Sequence, residues 1–159
     1  MTSRGGSAVI QLVVFLIEGQ RYALHLPAVE RVLPMVAVSP LPKAPDVALG
    51  VINLHGRVIP VVDLRRRFGL PPHDYGLSAH LLVVRTARRT LAIAAEQVIG
   101  VREIAAEVIT PPDAVLPGIG HVAGIAALPD GLLLIHDLDR LLSLGEERRL
   151  TKALEGVKI

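Results

Sequence analysis

Residues 50–64, GVINLHGRVIPVVDL, set two apolar runs around one polar break, and the reading of that break decides the fold. Leu54-His55-Gly56 leaves room only for a tight turn, and Gly56 supplies the positive φ that a short hairpin loop wants. The stretch therefore reads as a β-hairpin and not as a catalytic loop. Pro60 has no backbone N–H to give to a ladder, which marks its strand as an edge or as bulged. Edges attract partners, and Pro60 with Arg57 blunts this one against indiscriminate pairing.

Outward from the hairpin the same texture repeats. VIQLVVFLI (9–17), YALHL (22–26), AHLLVVR (79–85), TLAIAA (90–95), VIGVREI (98–104), HVAGIAAL (121–128) and LLLIHDL (132–138) are short, rich in Val, Ile and Leu, and bounded by Gly, Pro, Asp or paired arginines. They read as strands. Several are apolar on both faces, as strands are when held between a barrel interior and a second packed layer, so a barrel or paired barrels is expected.

An internal repeat supports the pair. YALHLPAVERV (22–32) matches LAIAAEQVIGV (91–101) at a spacing of 69, and GVINLHGRVIPVVDLRRRFGL (50–70) matches GIAALPDGLLLIHDLDRLLSL (124–144). The second match aligns Gly50 with Gly124 and Asp63 with Asp137. Proline-rich loops, SPLPKAP (39–45) and TPPDAVLPG (110–118), lie between the paired blocks, and GLPPHDYGLS (69–78) is the junction. Helices are few. DLRRRFGL and DLDRLLSL each open on an aspartate suited to capping, and the tail GEERRLTKALEGVKI puts Leu150, Ala153 and Leu154 on one stripe with Gly156 as its stop. The fold class is mostly β.

Composition bounds the function. A chain of 159 residues suffices for one core, and 51% hydrophobic against 20% charged residues excludes disorder. The absence of cysteine removes disulfides, thiolate metal sites and thiol nucleophiles, and fits a reducing compartment. SAVIQLVVFLI, after Arg4, lacks the small-residue cleavage site of a signal peptide and is too short to span a bilayer, so no membrane insertion is expected. A net charge of +2 and four aromatic rings, Phe15, Tyr22, Phe68 and Tyr75, give neither the field nor the stacking platform of a nucleic-acid binder. Arg65, Arg66 and Arg67 read as a solvated helix face, with contact to an acidic partner as the alternative.

No chemical motif survives inspection. His25, His55, His73, His80, His121 and His136 show no ligand spacing, so no metal or other cofactor is expected. His136 and Asp137 are neighbours on a strand and point to opposite faces, which forbids a dyad and leaves a strand end followed by a helix cap. GIGHVAG (118–124) enters a strand, unlike a phosphate-binding loop, which enters a helix.

GVINLHGRVIPVVDLRRRFGL, preceded by VVFLIEGQRYALHLPAVERV (13–32) and echoed by GIAALPDGLLLIHDLDRLL (124–142), resembles the CheW-like family of bacterial chemotaxis coupling proteins, over about residues 11 to 144. The resemblance implies two SH3-like five-stranded β-barrels on a common core. It places a single CheW-like domain over 8–159, with subdomains at about 9–70 and 77–145 and a C-terminal helix at about 146–156. It also implies a non-enzymatic cytoplasmic adaptor that joins the cytoplasmic tips of chemoreceptors, the methyl-accepting chemotaxis proteins, to the regulatory domain of a CheA-type histidine kinase. Carried over by position, Val29, Val32, Gly50, His55, Gly56 and Leu81 line the receptor groove, while the kinase faces the first barrel at residues that the resemblance does not name. Family members commonly read N-L-R-G where this chain has Asn53-Leu54-His55-Gly56, so a titratable imidazole replaces a permanent cation. The acid that usually pairs with that cation is replaced by Arg31, with Glu30 one residue away, and on a regular strand one residue changes the face. Two alternatives stand beside this reading: a divergent adaptor of another two-component or motility output, and a small-ligand binder or enzyme using His55 or His136 in the cleft between the barrels.

Overall fold

The computed structural model of the chain describes residues 8–71, 74–76, 78–111 and 122–157. His73, His121, residues 118–121 of the glycine run and most of the second proline loop lie outside them. Two sheets make up the fold. The larger runs in the order β8-β1-β2-β11-β10-β9, from β1 (Val9–Ile17), β2 (Gln20–His25), β8 (Gln97–Ala105), β9 (Ile109–Thr110), β10 (Val122–Leu128) and β11 (Gly131–His136). The smaller runs β3-β6-β7-β5-β4, from β3 (Val29–Pro34), β4 (Ala48–Leu54), β5 (Arg57–Val62), β6 (His80–Arg85) and β7 (Thr90–Ala95). The fold is mostly β, as its sequence implies.

Strands with two apolar faces now have two places to bury them. Leu12 and Val14 of β1 enter a cluster inside the larger sheet, while Val13, Phe15 and Ile17 enter a core shared between the sheets. Leu81 and Val83 of β6 enter the smaller sheet's own interior, while Leu82 and Val84 enter the shared core. Each such side chain, fully buried, contributes about 1.5–3 kcal/mol, and the alternation divides it between the two layers.

The sheets do not follow the sequence repeat. β1 and β2 sit with strands of the second half, β3, β4 and β5 sit with β6 and β7, and parallel pairs β2–β11 and β5–β7 tie the halves together. The expected subdomain limits, 9–70 and 77–145, trace the repeat, whereas each sheet draws on both halves. Pro60, read as the mark of an edge, lies in β5 between β4 and β7; pairing with β7 begins only at Val61, so no ladder bond is lost.

The repeat does recur in local detail. Gly50 and Gly124 each sit at a register shift, in β4 and β10. Asp63 caps α1 (Leu64–Arg67) by accepting from the Arg65 N–H, and Asp137 caps a 3-10 turn, Leu138–Arg140, by accepting from the Asp139 N–H. Helix α2 (Leu144–Glu155) opens on a capping box between Ser143 and Glu146 and sets Leu150 and Ala153 into the shared core. Gly156 follows it as expected, though with φ of −84° and so without the left-handed turn that glycine permits.

Candidate partner-binding surface

The hairpin of β4 and β5 closes as the sequence suggests. His55 (φ 53°) and Gly56 (φ 85°) both take left-handed backbone, which gives a two-residue turn whose twist matches its strands. Asn53 holds the turn, its Oδ1 accepting from the Gly56 N–H at 2.8 Å. His55 and Gly56 are exposed at the tip.

β3 is the strand that hydrophobic periodicity misses, because VERVLP mixes charge and valine and stops at a proline. It is an edge of the smaller sheet, and a register shift between Val29 and Arg31 makes Glu30 a bulge. On a regular strand Val29 and Val32, three apart, would point to opposite faces. The bulge restores them to one: Val29 pairs with Val84 and Val32 with Leu82, both residues of the shared core. Val29 is half-buried against that core and Val32 is 40% exposed, so the core reaches the surface here as an apolar strip.

Two other expected groove residues serve differently. Leu81 is fully buried among Ile52, Ile59 and Val83, where it supports the sheet from within. Gly50 is buried under the loop that crosses β4, where Ser39 and Val51 exchange backbone bonds of 2.8 and 2.9 Å. A Cβ at Gly50 would lie 2.1 Å from the Ser39 carbonyl oxygen, so glycine serves close approach at this position and not contact.

The charge pair at the hairpin is built from new positions. Arg57 Nη1 lies 3.3 Å from Glu30 Oε2 and Arg57 Nη2 donates to Thr90 Oγ1 at 3.3 Å, which draws β3, β5 and β7 together at the rim of the sheet.

The arginines after Asp63 do not form a solvated face. Arg65 is buried and bonds Glu18, Glu96 (2.5 Å) and the Pro71 carbonyl (3.0 Å), joining the β1–β2 and β7–β8 turns to α1. Burial alone would lower its pKa, but the bonds to Glu18 and Glu96 outweigh burial and raise it. Arg67 pairs with Glu146 on α2, and only Arg66 is exposed, its Nη1 donating to the Asp46 carbonyl at 2.8 Å and its Nε lying 3.7 Å from Asp63 Oδ2. His136 is likewise a core residue: its ring stacks with Tyr22 at 5.1 Å, Phe68 at 5.5 Å and Phe15 at 6.3 Å, and Asp137 is spent on its cap.

A second strip escaped the sequence reading. β8 is the edge of the larger sheet, and Val98 pairs with Phe15 and Val101 with Val13, with Ile99 the extra residue between them. Val101 is 58% and Ile99 53% exposed. The signal was available, since a shift of 69 carries Val29 and Val32 onto Val98 and Val101.

Paired sheets that present apolar edge strips to solvent define a protein that acts through its surfaces on other proteins. The CheW-like domain model matches residues 11–146. The Chemotaxis protein CheW of Klebsiella aerogenes is 28% identical over 135 residues, covering 84% of this chain and 81% of that protein. A Probable chemotaxis protein CheW of Rhizobium etli is 25% identical, over 84% of this chain and 87% of its own length. The crystal structure of the scaffolding protein TtCheW from Thermoanaerobacter tengcongensis superposes with a TM-score of 0.80 at 28% identity, covering 87% of this chain and 96% of that one. The chain belongs to the CheW-like domain family.

Proposed function

We propose that the chain is a non-enzymatic adaptor that joins chemoreceptor tips to the regulatory domain of a CheA-type kinase in the cytoplasm. The adaptor role in chemotaxis signalling follows from the family. The receptor face is the strip of Val29 and Val32 with the exposed hairpin tip, His55 and Gly56, while Gly50 and Leu81 hold that face in shape. One observation carries this reading: the Glu30 bulge turns two valines onto one exposed face that continues the shared core, as a groove for an amphipathic helix requires. No helix among the described residues is long and apolar enough to cross a membrane, and residues 9–17 of the run SAVIQLVVFLI form β1.

Calorimetry of the full chain against a receptor-tip fragment tests the assignment. Binding in the micromolar range is expected. Val32→Asp is expected to weaken it about tenfold or more, with little change in unfolding midpoint because Val32 is already half in water. His55→Arg is the companion variant, and unchanged receptor affinity there would remove the hairpin tip from the face. A second reading, an adaptor of another motility output, is favoured by His55 standing where the resembled family commonly carries arginine. A pull-down from native cytoplasm separates the two by which kinase and receptor accompany the chain.

A further inference from the structure

We infer that the cleft between the β6–β7 turn and helix α2 is a docking site for an acidic segment of the receptor-tip partner, an inference that rests on the receptor face proposed above. The cleft, of about 570 Å³, is lined by Arg88 and Arg89 from the turn and by Glu147, Arg148, Thr151, Lys152 and Glu155 from the helix. The turn that carries two of its cations is held in place, and one of them, Arg89, is fixed by its side chain. Thr86 Oγ1 accepts from the Arg88 and Arg89 N–H groups at 3.2 and 3.1 Å, and Asp139 accepts from the Ala87 N–H at 2.8 Å, which fixes the turn that presents Arg88. Arg89 is clamped on α2, its Nε on Glu147 Oε1 at 2.8 Å and its Nη2 on Thr151 Oγ1 at 2.6 Å.

That clamp consumes Glu147. Among the described residues, Arg88, Arg148 and Lys152 have no carboxylate within ion-pair distance, and Glu155 is the acid left over in the cleft, so an excess of positive charge faces solvent. Arg148 and Lys152 lie four apart on one face of α2. The helical wall from Glu147 to Glu155 is roughly 12 Å long at 1.5 Å per residue. A single phosphate would not span it, whereas a stretch of chain carrying two or three carboxylates would. The cleft also adjoins the proposed face, since Thr90, next to Arg89, receives the bond from Arg57, and Val29 pairs with Val84 at the same end of β6. A helix lying along the Val29–Val32 strip can set an acidic flank into it. Charge of this kind acts chiefly on the rate of encounter.

Stopped-flow association of the full chain with a receptor-tip fragment, at low and at physiological ionic strength, tests this. Arg88→Gln and Arg148→Gln together are expected to lower the association rate roughly three- to tenfold at low salt, to flatten its salt dependence and to leave dissociation nearly unchanged. Gln97→Glu, at the start of β8 and beyond the far end of β7, matches the charge change of Arg148→Gln alone and is expected to have little effect. Equal slowing by Arg148→Gln and Gln97→Glu, or an unaltered rate in the double variant, overturns the inference while leaving the receptor face in place. Failure of the unaltered chain to bind the fragment overturns both.

Discussion

His55 occupies a backbone conformation that L-residues adopt at a cost, with φ at 53°. Its identity therefore answers to the turn as well as to any partner, and the two demands are separable. His55→Val is expected to lower stability by about 1–2 kcal/mol, read as a reduced urea midpoint, while His55→Asn, a residue at ease in that region, is expected to leave the midpoint within error. The repeat offers a paired test at its two glycines. A Cβ at Gly50 meets the Ser39 backbone oxygen at 2.1 Å, and a Cβ at Gly124 meets the Cγ2 methyl of Ile109 at 2.6 Å. The β-branched Ile109 gives way only by shifting as a whole, and a carbonyl held in a bridge gives way less still, so Gly50→Ala is expected to cost about 3 kcal/mol or more and Gly124→Ala about 2 kcal/mol. Thermal unfolding of both variants checks the order. At this scale the sequence was informative where a residue has one physical use: Gly56 in the turn, and Asp63 and Asp137 as caps. It misled where use depends on neighbours remote in the chain, as with Arg65, whose partners Glu18 and Glu96 stand 47 and 31 positions before and after it.

Elements show the same division. Strands whose apolar residues fill both faces were legible from composition and punctuation alone, β1 and β7 to the residue. β3 was not, because an edge strand with a bulge carries neither a clean alternation nor an apolar run, and that strand holds the candidate site. Helix α2 illustrates docking by charge on an apolar footing: Leu150 and Ala153 enter the shared core, while Arg67 takes Glu146 and Arg89 takes Glu147. Burial would raise the Glu146 pKa, but the Ser143 N–H and the Arg67 guanidinium outweigh burial and hold it below the usual carboxylate range. A carboxyl depressed in the folded state stabilises above its unfolded pKa and loses that contribution as pH falls through the folded one. Docking of α2 is therefore expected to weaken below about pH 4.3, read as faster amide exchange in the helix, and Glu146→Gln is expected to remove that pH dependence. Arg65→Met has a broader reach, because it leaves two acids in separate turns without their cation. A loss of about 2–3 kcal/mol is expected, below that of a fully buried pair because Glu18 is half exposed.

Across the whole molecule, repeat and architecture part company. Sequence similarity between the halves is plain in GVINLHGRVIPVVDL and its echo, and it invites two bodies laid end to end along the chain. Strand pairing gives another arrangement, since β8 closes onto β1, β3 closes onto β6, and the parallel pairs cross the junction in both directions. No local signal encodes such an exchange, because an edge strand is apolar and bulged in the same way whichever half it joins. The shared core binds the arrangement further, with Val13 and Phe15 from the first half packed in one cluster with Leu82, Ile93 and Leu150 from the second. Folding is therefore expected to be one cooperative event. Unfolding followed by tyrosine fluorescence, from Tyr22 in the shared core and Tyr75 bonded to Asp63 at 2.6 Å, and by far-ultraviolet circular dichroism is expected to give coincident curves. Cutting the chain between residues 72 and 77 makes the stronger test. Each piece alone strands an unpaired sheet edge and half a core, and is expected to show no cooperative transition. The two pieces expressed together are expected to reassemble and to unfold at a midpoint that depends on their concentration. A first piece that folds alone, with its own sharp transition, would mean that the halves are bodies in their own right and that the crossed pairing is dispensable.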